Sequence, residues 1–156
     1  MPCLLYLDTC TVQRPLDALR TSAERVECDA IEALLAAVGS GRAVLVWAWP
    51  LEIEARDASW VRRRYTRKVR RLAKVRVADE RAANARARRL EREPNLTVFD
   101  ALHLAYAETA RALLVTIDRS LRRRATKIPG LRTRAVSPQE ALALVDPRRG
   151  RGDPRG

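Results

Sequence analysis

The sequence predicts an α/β fold of three layers, a central parallel β-sheet flanked by helices. Three observations carry the prediction. Apolar runs of strand length recur at 3–7, 43–47 and 112–116, the last closing on Thr116, separated by stretches with helical periodicity. None of these runs alternates with polar residues, the pattern of strands buried on both faces as in parallel sheets. An acid follows each run closely: Asp8, Glu52 and Asp118.

Taken in order, the first strand is CLLYL at 3–7, ended by Asp8-Thr9. Asp8 therefore stands at a strand's C-terminal end, and taken alone reads better as the cap of a short helix that follows. Residues 22–38 carry apolar positions at helical spacing, with Thr21 or Ser22 as N-cap and Gly39 as the stop. Gly41 gives the turn into the second strand at 43–47. Pro50 opens the next helix, where proline is favoured, and Glu52 falls in its first turn. Glu54 lies about 200° round that helix from Glu52, so the two cannot serve one site equally. The basic stretch WVRRRYTRKVRRLAKV at 60–75 has one apolar stripe, Val61, Tyr65, Val69 and Leu72, with arginines elsewhere. It reads as a phosphate-binding surface or as a solvated helix face. A further Ala/Arg/Glu-rich helix spans 78–93 and stops at Pro94-Asn95. From 98 to 107 the chain is apolar almost all round, as in a buried helix, with Asp100 inside that surface. The strand at 112–116 leads to Asp118 and a helix start, and a low-apolarity edge strand follows near 131–136. Ser137-Pro138-Gln139-Glu140 then opens a last helix that ends near Val145.

The 156 residues suit a single domain, expected at 1–146, and 47% hydrophobic residues place the chain among globular proteins. The remaining 147–156 form a Pro/Gly/Arg tail expected to be disordered. No stretch has the length of a transmembrane span, and no basic region precedes an apolar run, so the expectation is a cytoplasmic protein without membrane attachment. Cys3, Cys10 and Cys28 are odd in number and lack C-x-x-C spacing, which reads as free thiols rather than a zinc site. The single histidine, His103, excludes mechanisms needing two, and is expected at a helix surface or core rim. A formal charge of +12 points to a polyanionic partner, usually nucleic acid. Only Lys68, Lys74 and Lys127 are lysines, so arginine carries most of that charge, a bias that a GC-rich genome also produces.

Right-handed crossovers bring all strand C-termini to one edge, which places Asp8, Glu52 and Asp118 there. Asp100, in the first turn of the helix leading to the Asp118 strand, can project into the same crevice. Converging carboxylates repel one another. Hard divalent cations such as Mg²⁺ or Mn²⁺ resolve that conflict, because they prefer oxygen ligands.

Leu7-Asp8-Thr9-Cys10, the hexapeptide DALHLA at 100–105 and Thr116-Ile117-Asp118 together resemble the PIN-domain family, and within it the VapC-type toxin ribonucleases. The likeness spans roughly residues 3 to 145. It implies a PIN-like, Rossmann-like five-stranded parallel sheet, a Mg²⁺- or Mn²⁺-dependent RNA-cleaving site, frequent homodimers and, for toxins, a cognate antitoxin. By position Asp8, Glu52, Asp100 and Asp118 match the family's metal-binding catalytic acids, and Thr116 the hydroxyl beside the last. Small or hydroxylated residues are common in the family ahead of the second acid, whereas Trp47, Ala48, Trp49 and Pro50 stand here, which makes Glu54 the alternative to Glu52. The implied mechanism is metal-assisted phosphodiester hydrolysis, with Thr9 or Thr116 orienting the attacking water and Arg63, Arg67 and Arg71 holding RNA phosphates. A nuclease-inactive RNA-binding module remains as a second reading. An aspartyl phosphatase would need a second Asp two residues after the first, where Cys10 stands.

Overall fold

The structure is a computed structural model that describes residues 1–147. Five strands, β1 (Cys3–Leu7), β2 (Ala43–Trp47), β3 (Val75–Arg76), β4 (Leu113–Val115) and β5 (Ala135–Val136), form one sheet in the order β3-β2-β1-β4-β5. Every pairing is parallel, with Leu5 opposite both Leu45 and Leu113. The helices are α1 (Thr9–Gln13), α2 (Ser22–Gly39), α3 (Trp49–Arg56), α4 (Trp60–Arg70), α5 (Glu80–Leu90), α6 (Val98–Thr109), α7 (Arg119–Ala125) and α8 (Pro138–Val145), with one 3-10 turn at Arg14–Leu16.

From β1 the chain steps outward to β2 and β3, then returns past β1 to β4 and β5. Right-handed crossovers put the helices of these two runs on opposite faces. Within the return run α5 packs along α6, while α8, which follows the last strand and is no crossover helix, packs on α2 of the outgoing run. This is the expected parallel α/β architecture, consistent with a PIN-like three-layer fold. The core lies along β1, β2 and β4, where Leu5, Tyr6, Leu45, Trp47 and Leu114 are buried with Leu104 and Tyr106 of α6.

Caps set the helix starts, at Thr21 and Ser137 as the sequence suggests. Thr21 with Glu24, Thr97 with Asp100 and Ser137 with Glu140 each form a reciprocal capping box. Gly41 takes φ +78°, a left-handed turn that leads into β2.

Several expectations are corrected. The basic helix does not run from Trp60 to Lys74. It ends at Arg70, where Leu72 and Ala73 donate to the carbonyls of Val69 and Arg70 in a tightened last turn. The two residues that follow, Val75–Arg76, are edge strand β3, paired with Val46 and Trp47. On α4 the buried positions are Thr66 and Val69, whereas Val61 of the expected stripe is exposed. In α6 only the first residue, Val98, is exposed, and Asp100 is half-buried at the helix start rather than enclosed. Strand β5 is shorter than 131–136. The expected tail, 147–156, lies outside the described residues apart from Pro147. No helix among the described residues is long and apolar enough to cross a membrane.

Candidate active site

Strand β1 feeds a connection that leaves to one side, while its other neighbour, β4, is reached from the far edge. The C-terminal ends of β1 and β4 therefore flank the point where the strand order reverses, where open α/β sheets hold their ligands. The two ends are tied together: Asp8 N–H donates to the Val115 carbonyl at 3.3 Å, and Ile117 N–H donates to the buried Thr11 hydroxyl at 3.0 Å. Asp8 is 6% exposed and caps α1, its Oδ1 accepting from Thr11 N–H at 3.0 Å. Asp118 caps α7 through Oδ1, which accepts from Leu121 N–H at 3.0 Å, and its side chain is 46% exposed.

Asp100 comes from the other side of the crevice. Its Oδ2 accepts from Thr97 N–H at 3.2 Å within the α6 capping box. One guanidinium nitrogen of Arg124, on α7, lies 3.6 Å from Asp100 Oδ2 and 4.0 Å from Asp118 Oδ2, so a single cation bridges the two acids. A turn after Asp100, on the same face of α6, His103 is buried. Its Nε2 lies 2.7 Å from Glu54 Oε2, and its Nδ1 lies 2.9 Å from the hydroxyl of Tyr6 in β1. The Thr9 hydroxyl donates to the same Glu54 oxygen.

Burial works against the Glu54 charge, but the His103 hydrogen bond, the positive charge His103 carries when protonated and the Thr9 hydroxyl outweigh it, leaving the carboxyl below its ordinary range. Tyr6 is pushed well above 10, first by burial and then by the charges of Asp8 and Glu54. It keeps its proton, and where the imidazole is neutral it donates to His103 Nδ1, which leaves the imidazole proton on Nε2, facing Glu54. The Cys10 thiol rises to about 11, through burial and then the charges of Asp8, Glu54, Asp17 and Asp118. One thiol thus feels three of the acids gathered here.

These contacts close a ring. Asp8 adjoins Thr9, Thr9 holds Glu54, Glu54 holds His103, and Asp100 stands one turn from His103. Arg124 then links Asp100 to Asp118, and the β1–β4 ladder returns to Asp8. Capping and ligand roles are compatible, because a carboxylate has two oxygens. Each acid uses one to fix the local backbone or its neighbour. Asp8 Oδ2, Glu54 Oε1 and Asp100 Oδ1 accept no hydrogen bond among the described residues, and Asp118 Oδ2 reaches only Arg124. The donor set is hard oxygen throughout, which fits Mg²⁺ or Mn²⁺ and does not fit a thiophilic metal. Among the described residues no three such side chains are drawn together closely enough to hold an ion. With four carboxylates and one guanidinium in the ring, the net charge is negative.

No family model matches this chain, and no curated protein matches it.

Glu52, expected at this edge, is elsewhere. It turns toward α4 and β3, where Oε1 lies 3.2 Å from Arg70 and 3.5 Å from Arg76. Glu54, from the opposite side of α3, takes the place beside Thr9. Thr116 is fully buried and its hydroxyl accepts from Asp118 N–H at 3.1 Å, while Arg122 donates to its carbonyl at 2.6 Å. Thr9 and Thr116 therefore position carboxylates in this arrangement instead of presenting free hydroxyls to water. Arg63 and Arg67 line a cavity between α3 and α4, and Arg71 caps α4 in solvent. Sequence reasoning missed His103 and Arg124. His103 carried a signal, its i+3 spacing from Asp100 on an inward helix face. Arg124 is one of three consecutive arginines, which sequence alone does not rank.

Proposed function

We propose that this chain is a metal-dependent endoribonuclease of PIN-domain type, whose acids are Asp8, Glu54, Asp100 and Asp118. The observation that carries the reading is the ring at the sheet's switch point, in which each acid keeps an oxygen free of hydrogen bonds while its other oxygen is anchored. These anchored anions leave negative charge that a cation would neutralise. Arg124 meets part of that need at Asp100 and Asp118.

Mg²⁺ or Mn²⁺ held by these free oxygens would supply an activated water and charge stabilisation for phosphodiester hydrolysis. The protein's own contribution is positional. Thr9 and His103 hold Glu54 as a carboxylate, Thr116 and Arg122 hold the loop that carries Asp118, and Thr11 fixes the spacing of the two strand ends. The surrounding charge of +12 attracts a polyanion toward an acidic centre. RNA as substrate, a cognate antitoxin and a homodimer follow from the PIN-domain likeness, and with the cytoplasmic location expected from the sequence they belong to the same proposal.

A nuclease-inactive RNA-binding module is the second reading, favoured by Arg124 standing between two of the acids. The test is cleavage of a mixed RNA pool with Mg²⁺, Mn²⁺ or EDTA, using the parent chain, Asp100→Asn and Asp118→Asn. The expected result is metal-dependent cleavage by the parent alone. RNA binding without cleavage under every metal condition leaves the inactive module. Cleavage that survives EDTA overturns the metal mechanism.

A further inference from the structure

On the edge of the sheet opposite the acids, where β1 and β4 begin, the surface is concave. A cleft of about 1460 Å³ opens there, walled by the starts of those two strands, one side of α5, the end of α6 and the segment 129–134 that leads into β5. Small-molecule pockets run to roughly 300–1,000 Å³, so this cleft has room for a stretch of polymer. Five arginines line it, Arg86, Arg89, Arg111, Arg132 and Arg134, against two acids, Asp79 and Glu108.

Both acids are engaged within the protein. Asp79 caps α5, its Oδ1 accepting from Ala82 N–H at 2.8 Å. Glu108, with its side chain 10% exposed, accepts from Arg86 Nε at 2.7 Å and from Arg132 N–H at 3.1 Å. Arg86 also donates to the Gly130 carbonyl at 3.4 Å, and the buried Thr133 hydroxyl donates to the Ala112 carbonyl at 2.7 Å. These bonds fasten the segment 129–134 to α5 and to the turn after α6, with Arg132 and Arg134 exposed on either side of Thr133. That turn holds Arg111 at φ +54°, the left-handed conformation in which glycine is the ordinary choice after a helix. Arg86 is thus neutralised by Glu108, whereas the guanidinium groups of Arg89, Arg111, Arg132 and Arg134 have no partner among the described residues.

The chemistry of the lining narrows the occupant. Guanidinium forks match phosphate oxygens two at a time. None of the described residues in the lining is aromatic, so there is no platform on which a base could stack and no aromatic anchor of the kind that dominates protein interfaces. What remains is fixed positive charge along a channel, which suits a phosphate backbone and carries no information about sequence.

We propose that this cleft is a second RNA-binding site, separate from the acid ring, which holds the phosphate backbone on Arg89, Arg111, Arg132 and Arg134 without metal and without reading the bases. That the polyanion is RNA rests on the function proposed above; the shape and charge of the cleft do not. The five residues of β1 separate the cleft from Asp8, roughly 16 Å at about 3.3 Å each. A strand held there is retained by the protein and is not itself laid across the acids.

The test is binding of a fluorescein-labelled oligouridine to the full chain in EDTA, followed by anisotropy over a range of salt concentrations. Each phosphate contact on a single strand contributes about 0.7 to the slope of log affinity against log salt. Arg132→Gln with Arg134→Gln should therefore lower the slope by about 1.4, which is roughly 25-fold weaker binding near 0.1 M salt if affinities meet at about 1 M. Arg111→Gly should lower it by about 0.7, roughly five-fold near 0.1 M salt, with a Tm no lower than the parent's because glycine suits that turn. The two variants should lose the same factors on oligocytidine. Unchanged slopes, losses that depend on the base, or poly-glutamate displacing the probe as well as unlabelled RNA does overturns the site. The two proposals fail separately: metal-dependent cleavage with unchanged slopes removes the cleft alone, and reduced slopes without cleavage under any metal condition remove the nuclease alone.

Discussion

Replacing Asp8 in two ways separates its two oxygens. Oδ1 caps α1 through Thr11 N–H, and Oδ2 is free. Asp8→Ala loses both, and loss of an N-cap costs about 0.5–2 kcal/mol. For a domain of this size that lowers Tm by roughly 1–8 °C, taking about 2–4 °C per kcal/mol. Asp8→Asn keeps an acceptor for the cap, since Asn caps about as well as Asp, so its Tm should move by less than about 1 °C. Metal separates the variants from the parent. At a free concentration near 100 times its Kd, a bound ion adds about 2.7 kcal/mol, or roughly 5–10 °C. The assay is thermal unfolding with EDTA and with a Mn²⁺ titration. The parent should gain that shift, and both variants should lose most of it. If Asp8→Asn melts as low as Asp8→Ala, or if Mn²⁺ raises Asp8→Asn as far as the parent, the division of labour between the two oxygens is wrong.

Arg124→Gln removes the cation that links Asp100 and Asp118; it should lower the metal-free Tm by roughly 1–3 °C, as for a partly exposed ion pair, and enlarge the Mn²⁺-induced shift beyond the parent's, whereas an unchanged shift would mean that Arg124 does not compete with the ion. Glu54 has a folded pKa below its unfolded value of 4.5, so the unfolded chain takes up its proton first as pH falls and the stability this group contributes is full above pH 4.5 and lost below it. The urea midpoints of the parent and Glu54→Gln should therefore differ at pH 7 and converge below pH 4.5, and a gap that stays constant with pH refutes that assignment. Cys10 is exposed, yet with a pKa of about 11 it is almost entirely thiol at pH 8 and should alkylate slowly with iodoacetamide. Mg²⁺ or Mn²⁺ bound by the neighbouring acids should speed that reaction, read by mass spectrometry at Cys10 against Cys3 and Cys28, and a rate indifferent to metal counts against an ion near Asp8 and Glu54.

The strands β1 and β2 were legible because each is an unbroken apolar run, and two helix starts because Thr21 and Ser137 stand where N-caps belong, whereas the box of Thr97 with Asp100 emerged only from the structure. Strand β3 was not, because two residues after a basic helix hold no periodicity, and only the open edge of β2 makes Val75–Arg76 a strand. The acids Asp8, Asp100 and Asp118 were placed by topology, since strand ends and helix starts fix where they emerge. The choice between Glu52 and Glu54 needed tertiary information. Both sit on the short helix α3, and first-turn position favours Glu52, but that side of the helix meets Arg70 and Arg76 while the other meets Thr9 and His103. Which side faces which neighbour depends on where α4 and α6 pack, and no local pattern in α3 encodes that.

The row from Tyr6 through His103 to Glu54, joined by Thr9, has a direction. Tyr6 donates to His103, His103 donates to Glu54, and Thr9 donates to the same oxygen. All its protons point toward one carboxylate, and reversing the row would require the fully buried Tyr6 to give up its only hydrogen-bond donation. Glu54 is accordingly a permanent anion near neutral pH and a poor carrier of protons. In the hydrolysis proposed above, a leaving group that needs a proton would therefore take it from the side where Asp118 meets solvent. The core holds Glu54 as a fixed charge, and under that proposal the traffic of protons would fall to water.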